Sequence, residues 1–124
     1  MARTYRALNR TKGTVIAEHV SVADGLWSKF WGLMGRRALP ENNGLLLTPC
    51  SSVHTFFMRF PIDVVFLDRE RRVVKIVPAM KPWRAALGGG GRDALELPTG
   101  EAGRTGIELQ DQVEFEEGAD ALAL

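Results

Sequence analysis

Short apolar runs separated by polar turns make up most of the chain, and this pattern predicts a mainly β fold. The runs are rich in β-branched residues and are bounded by Gly, Pro, Asn, Asp or Ser, which are typical of turns. The predicted strands are 5–9, 14–20, 44–48, 53–60, 62–67, 73–77, 93–97 and 112–115. Many short strands with few helices favour a compact barrel or sandwich.

One segment has a helical period instead of a strand pattern. Apolar residues recur at three- and four-residue spacings over 26–34, so we expect a short amphipathic helix that follows the capping sequence 21–24 and ends at Gly35. A single helical turn is expected within 98–106, which begins with proline and ends with glycine. The segment 81–84 and the glycine run 88–91 together predict a long mobile crossover between strands.

The composition is that of an ordinary globular domain. A chain of 124 residues has room for one core, so we expect a single domain over 1–124 with a frayed tail at 116–124. The net charge of +1 gives no reason to expect a nucleic acid as partner. Residues 1–40 carry seven basic and two acidic side chains, whereas residues 81–124 carry four basic and nine acidic ones. We expect these two ends to be neighbours in the fold and to neutralise each other.

Cys50 is the single cysteine, which excludes an intrachain disulfide. The first ten residues lack the apolar stretch of a secretory signal, and no apolar run approaches the roughly 18 residues of a membrane span. We therefore expect a cytoplasmic protein with no membrane partner. His19, Cys50 and His54 do not have the paired spacing of zinc ligands, so neither a metal nor a cofactor is predicted.

Polar side chains interrupt the most apolar part of the chain, between residues 49 and 68. If 53–60 is a central strand, then His54, Arg59 and Asp63 lie among bulky apolar side chains and need hydrogen-bond partners. Pro61 would bend this strand and allow Arg59 to pair with Asp63. Such a pair is either a structural tie or part of a site for an anionic ligand.

Two further interpretations remain open. A small hydrolase or transferase would use His54 as a base, with Cys50 or Asp63 as its partner. Extended chain would separate the Cα atoms of Cys50 and His54 by about 13 Å, which argues against this pair unless 49–52 folds back. A purely structural interaction module would instead show an exposed apolar patch and no pocket.

Five strings stand out: Gly-Leu-Met-Gly-Arg-Arg at 32–37, Gly-Leu-Leu-Leu at 44–47, Met-Arg-Phe-Pro-Ile-Asp at 58–63, Lys-Pro-Trp at 81–83 and Leu-Glu-Leu-Pro at 95–98. Over about 32–115 the chain resembles the bacterial and archaeal family called domain of unknown function 192. The resemblance implies a compact, mainly β domain of barrel or sandwich type, and it implies no established reaction. The family usually has glycine where this chain has Gln110, which predicts either strain or a different turn type there.

The leading prediction is a non-catalytic domain that binds a small molecule or a protein in a pocket near segment 54–63. An aromatic wall with few polar groups is the usual lining of such a site. Trp83, beside the glycine run, is either a lid over this pocket or a plug at one end of the barrel. The candidate ligand-binding residues are Arg36, His54, Met58, Arg59, Asp63 and Trp83.

Overall fold

A computed structural model describes residues 4–24 and 38–117, and these ranges contain nine strands and one short helix. Residues 21–23, expected to cap the amphipathic helix, are the end of a strand, and the helix itself lies outside the described residues. The elements are β1 (Thr4–Asn9), β2 (Thr14–Ala23), β3 (Asn43–Leu47), β4 (Ser52–His54), β5 (Ile62–Leu67), β6 (Val73–Met80), β7 (Ala85–Leu87), β8 (Asp93–Pro98), α1 (Glu101–Arg104) and β9 (Val113–Glu117).

Seven strands form one sheet in the order β6-β5-β8-β3-β2-β1-β9, and β2 and β3 are its parallel pair. The beginnings of the edge strands β6 and β9 meet, because Arg72 and Gln112, just before them, form an isolated antiparallel bridge. There the Val73 amide donates to the Asp111 carbonyl at 2.9 Å, and the Gln110 amide donates to the Val73 carbonyl at 2.8 Å. The sheet therefore curls toward a barrel without closing into one, which agrees with the expected mainly β class.

Both faces of this sheet are covered by apolar side chains. Successive residues of β5 point to opposite faces, and all six are buried, as expected for a central strand. The inner cluster contains Ala7, Ile16, Ala17, Val20, Leu46, Val65, Leu67, Val73, Leu95, Leu97, Ala102, Ile107 and Val113. The outer cluster contains Ala23, Leu39, Leu47, Val53, Met58, Ile62, Val64, Phe66, Met80 and Ala94.

Strands β4 and β7 form a separate two-stranded ribbon over the outer cluster. The predicted central strand 53–60 is wrong beyond His54, because the chain turns there and Phe57 has φ 67°. The expected mobile crossover is also corrected: β7 lies within it, and Gly88 is buried. A Cβ on Gly88 would lie 2.7 Å from the Ser51 carbonyl oxygen, so this glycine is required by close packing.

The oppositely charged ends of the chain are neighbours, as predicted. The Nε atom of Arg10 lies 2.8 Å from Oε2 of Glu114, and the Nζ atom of Lys12 lies 3.2 Å from Oδ2 of Asp111. Gln110 adopts φ 75°, which confirms that a non-glycine residue is strained at this turn. Within the described ranges, no helix has the length and apolar character needed to cross a membrane.

Candidate functional site

Four aromatic rings, those of His54, Phe56, Phe57 and Trp83, form a contiguous exposed surface, here called the aromatic surface. The centroids of Phe56 and Trp83 are 5.8 Å apart with the rings stacked at 25°, and those of Phe57 and Trp83 are 4.7 Å apart. His54 continues the row, with its centroid 5.0 Å from that of Phe56. Phe57 and Trp83 remain 59% and 55% exposed. The rings therefore contact one another and leave much of their area to solvent.

A buried threonine holds the two segments of this surface together. The Thr55 hydroxyl donates to the Lys81 carbonyl at 2.6 Å and accepts the Arg84 amide at 2.9 Å. The Thr55 carbonyl also accepts the Trp83 amide at 3.0 Å, and its amide donates to the Arg84 carbonyl at 2.8 Å. These bonds fix the loop that carries Trp83 against the loop that carries the phenylalanines, so the aromatic surface has a rigid support.

The backbone of the aromatic surface is strained at two positions. Phe57 has φ 67° and Trp83 has φ 62°, which is the left-handed region. For a bulky L-residue this conformation is disfavoured by roughly 1 to 2 kcal/mol. Neither side chain is buried in exchange, so core packing does not account for the strain. Strain of this kind is concentrated at functional sites.

The two segments that carry the aromatic surface are positively charged. Arg59, Lys81 and Arg84 are exposed, and the segments 51–61 and 78–92 contain no Asp or Glu. The field beside the rings therefore favours an anionic group.

A shallow groove lies beside His54. Its volume is about 230 Å³, and its lining includes the exposed Leu87 and the ribbon residues Val53 and Ala86. The Nδ1 atom of His54 accepts the Phe56 amide at 3.3 Å, which leaves Nε2 as the donor of the neutral ring. The groove thus offers an apolar floor with one ring N–H group beside it.

The structure brings together only part of the predicted site. His54 and Trp83 meet through Phe56, and Arg59 is exposed in the same segment. Met58 is buried in the outer cluster, so its side chain packs the core and is not part of the aromatic surface. Arg36 lies outside the described residues.

Asp63 belongs to the scaffold, which corrects two expectations. Its Oδ1 accepts the Ala79 amide at 2.8 Å and its Oδ2 accepts the Ala102 amide at 2.9 Å. Asp63 is 1% exposed, and its carboxylate ties β6 and α1 to β5 on the inner side of the sheet. The predicted tie between Arg59 and Asp63 is therefore wrong, and Asp63 is not placed to orient the exposed His54 as an acid–base partner.

Cys50 is likewise separate from His54. Its Sγ donates to the Ser52 carbonyl at 2.8 Å. It lines a different cavity, of about 790 Å³, formed with the turn at 68–70 and the segment 90–92. In the described part of the chain, no group of three or more His, Cys, Asp or Glu side chains is placed to hold a metal ion.

The sequence prediction missed three residues of the site. The predicted strand 53–60 would place Thr55, Phe56 and Phe57 on the two faces of a buried strand. The available signal was that both odd and even positions of 53–60 are bulky and apolar, which fits a double-covered strand but equally fits a segment that is not a strand.

Strand β8 carries a buried acid on the outer side of the sheet. Glu96 is 4% exposed and pairs in register with Val64 of β5 and Leu45 of β3. Burial raises the pKa of Glu96 to about 8, so the carboxyl group keeps its proton at neutral pH.

Comparisons with known proteins agree with this fold. The model of domain of unknown function 192, described as an uncharacterised conserved region, matches residues 7–115, a wider range than the motifs alone indicate. An uncharacterised UPF0127 protein of Thermococcus sibiricus is 36% identical over 117 residues, which is 88% of this chain and 73% of the relative. A UPF0127 protein of Pyrococcus furiosus is 40% identical over 82 residues, which is 62% of this chain and 68% of the relative.

Two solved structures share the architecture. A protein of unknown function from Novosphingobium aromaticivorans superposes with a TM-score of 0.76 at 26% identity, covering 89% of this chain and 83% of that one. A protein from Sinorhizobium meliloti superposes with a TM-score of 0.80 at 20% identity, covering 93% of this chain and 94% of that one, and this likeness shows the fold alone.

Proposed function

Because the chain belongs to the family of domain of unknown function 192, which brings no established activity, we propose from its own surface that it is a non-catalytic binding domain for a protein partner. The observation that carries the proposal is the pair Phe57 and Trp83. Both rings are more than half exposed, they contact each other, and each stands on a left-handed backbone. Clustered exposed aromatic side chains are the usual centre of a protein interface.

The partner is a polypeptide segment that carries both acidic and large apolar side chains. Apolar side chains would cover the rings and the groove beside Leu87, where water is displaced from apolar area. Carboxylates would pair with Arg59, Lys81 and Arg84, which are exposed in the two segments that carry the rings, and these segments contain no acidic residue. Such pairs at the rim mainly give orientation and a faster association.

A binding role is favoured over catalysis by the chemistry around His54. Its ring is exposed and is hydrogen-bonded to a main-chain amide, while both oxygens of Asp63 are occupied by the amides of Ala79 and Ala102. A general base needs an orienting group and a nucleophile within hydrogen-bond reach. The described surroundings of His54 offer aromatic and apolar contacts instead.

An array of random twelve-residue peptides, probed with the labelled full chain, tests the proposal. We expect the retained peptides to be enriched in Asp or Glu together with Phe, Trp or Leu. Trp83→Ala and Arg84→Gln should each weaken binding at least tenfold by fluorescence anisotropy of a retained peptide. Leu109→Ala is the matched control, because Leu109 is as exposed as Phe57 and lies outside the aromatic surface, and it should leave binding unchanged.

Three results would overturn the proposal. One is an array that retains no peptide, or that retains peptides enriched in Lys and Arg. Another is a Trp83→Ala protein that binds as well as the unmodified chain. The third is tighter binding of the oligonucleotide dT12 than of any peptide, since stacked rings beside cations are also the pattern of single-strand binding.

A further inference from the structure

Strands β4 and β7 form a ribbon, and each of them pairs with no other strand in residues 4–24 and 38–117. One face of the ribbon packs on the core, because Val53 belongs to the outer cluster and Ala86 packs against that cluster. The opposite face is exposed and carries His54 and Leu87, which line the shallow groove of about 230 Å³. Each strand of the ribbon therefore keeps one edge that the pairing of the described strands does not use.

Two hydrogen bonds at the ends of the ribbon fix the direction of its main-chain groups. The Gly88 amide donates to the Ser51 carbonyl at 2.8 Å, and the Thr55 amide donates to the Arg84 carbonyl at 2.8 Å. Hydrogen-bonded and non-hydrogen-bonded pairs alternate along an antiparallel ladder. Every second pair, counted from either end, is therefore a hydrogen-bonded pair.

The pairs that lie between these are the non-hydrogen-bonded ones. They are Ser52 with Leu87 and His54 with Ala85. In such pairs the N–H and C=O groups point away from the partner strand. Ser52 and His54 thus form the outward row of the β4 edge, and Ala85 and Leu87 form that of the β7 edge.

The two edges are not equally open to a further strand. At the β7 edge the Lys75 ammonium donates to the Leu87 carbonyl at 2.8 Å, and a lysine at an edge hinders the addition of a strand. At the β4 edge the Ser52 carbonyl accepts the Cys50 thiol. The Ser52 amide and both main-chain groups of His54 have no hydrogen-bond partner in the part of the chain that the structure describes. The β4 edge therefore offers two donors and one acceptor in a row.

The surroundings of the β4 edge indicate what chemistry can pair with it. His54 belongs both to this edge and to the aromatic surface, where its ring centroid lies 5.0 Å from that of Phe56. The segments 51–61 and 78–92 contain basic side chains and no Asp or Glu. An extended peptide in which apolar and acidic residues alternate supplies main-chain partners for the edge, apolar area for the groove and negative charge for the basic side chains.

We infer that the protein partner binds through an extended segment, which adds as a strand to the β4 edge and forms main-chain hydrogen bonds with His54. This inference rests on the proposed function and adds to it the class of partner, a strand-forming segment with an apolar residue at every second position. The apolar side chains lie on one face of the added strand, over the groove and the aromatic surface.

Amide hydrogen exchange of the full chain, followed by NMR with and without the peptide acetyl-EFELEFE-amide, tests the inference. At saturating peptide we expect exchange of the His54 amide to slow at least tenfold. The Ala85 amide is the matched reference, because it also points outward but lies on the β7 edge, and its exchange should not change.

N-methylation of the same peptide tests the main-chain bonds. Only every second N–H group of an added strand faces the edge that it joins. Of two modified peptides, one N-methylated at all apolar residues and one at all glutamates, one should bind at least tenfold more weakly than the unmodified peptide and the other equally well.

A proline variant tests the edge from the side of the protein. Ser52→Pro removes an outward amide and no ladder bond to β7, so it should weaken peptide binding at least threefold. Ala85→Pro is the matched control, because it removes an outward amide from the opposite edge, and it should leave binding unchanged. Circular dichroism of both variants shows whether the fold is kept.

Several results would overturn the inference while the proposed function stands. They are array peptides that bind when acetyl-EFELEFE-amide does not, a bound peptide that leaves His54 exchange unchanged or protects Ala85 instead, and two N-methylated peptides that bind alike. Slower His54 exchange at higher protein concentration without peptide would assign the edge to a second copy of the chain. An array that retains no peptide would overturn the proposed function and the inference together.

Discussion

Strand β5 and the aromatic surface are both built from large apolar side chains, and they differ in what the fold does with them. Every residue of β5 is buried, and its one charged member, Asp63, binds two main-chain amides. In the aromatic surface, Phe57 and Trp83 are more than half exposed and their backbone is strained. The buried acid therefore stabilises the fold, whereas the exposed rings do not and are suited to contact with another molecule.

The largest expected effect is on the scaffold side of the comparison. Asp63→Ala removes the acceptor of the Ala79 and Ala102 amides, and we expect the free energy of unfolding to fall by about 2 to 5 kcal/mol. Urea denaturation measures this change. Asp63→Asn is the matched control, because it keeps the shape and one acceptor, and it should cost about half as much. A loss below about 1 kcal/mol for Asp63→Ala would show that these bonds do not hold the fold.

Glu96, the buried acid of β8, gives the second expected effect on the free energy of unfolding. This effect depends on pH. In the folded chain Glu96 keeps its proton up to about pH 8, whereas in the unfolded chain it releases the proton near its ordinary value of 4.5. The folded state then binds more protons between these values, so stability falls as the pH rises from about 4.5 to 8. The fall is of the order of 3 kcal/mol between pH 5 and 8.

Glu96→Gln should remove this decline and make the protein more stable than the unmodified chain at pH 8. Urea denaturation at several pH values measures it, with Glu70→Gln at an exposed turn as the control that leaves the pH profile unchanged. Equal pH profiles for Glu96→Gln and the unmodified chain would mean that the carboxyl group is not held in its neutral form.

The sequence predicts the buried strands such as β5 well and the aromatic surface poorly. The strands at 62–67 and 93–97 follow from apolar runs bounded by turn residues, and each lies within one residue of the observed element. The neighbouring position of the two charged ends agrees with the opposite net charges of residues 1–40 and 81–124, and β1 pairs with β9. The predicted strand 53–60 is wrong beyond His54, because large apolar side chains indicate burial and yet Phe56 and Phe57 are exposed.

Two long-range contacts explain why the rest of the site was not predictable. The hydroxyl of Thr55 bonds to main-chain groups 26 and 29 residues away, and no local pattern encodes such a partner. Asp63 was correctly identified as a buried polar group in need of partners, but its partners are amides of β6 and α1 instead of the guanidinium of Arg59. Buried side chains can be satisfied by any backbone that the fold brings near.

Thr55 is buried, but it supports the exposed aromatic surface. Removal of its hydroxyl should lower the free energy of unfolding by an amount between those expected for the scaffold and for the rings. Thr55→Val keeps the shape of the side chain but leaves the Lys81 carbonyl and the Arg84 amide without their hydroxyl partner. We expect a loss of about 1 to 3 kcal/mol in the free energy of unfolding, together with weaker binding of the array peptides. Thr55→Ser, which keeps the hydroxyl, should retain most of both. If a destabilised Thr55→Val protein still bound the peptides fully, Thr55 would anchor the loops without supporting the binding surface.

The smallest stability effect is expected at the aromatic surface itself. Phe57→Gly relieves the left-handed strain, and this gain offsets the greater freedom of glycine in the unfolded chain, so stability should change by less than about 1 kcal/mol. Peptide binding should nevertheless fall. Thermal unfolding and anisotropy of the same preparation give both values, and a strongly destabilised variant would place Phe57 in the core.

The exposed rings of Phe57 and Trp83 do not hold the fold. Urea denaturation of the double variant Phe57→Ala with Trp83→Ala tests it most directly, with Phe66→Ala in the outer cluster as the reference for a buried ring. We predict that the double variant stays within about 1 kcal/mol of the unmodified chain, while Phe66→Ala loses about 3 to 5 kcal/mol. A loss of that larger size in the double variant would contradict the account.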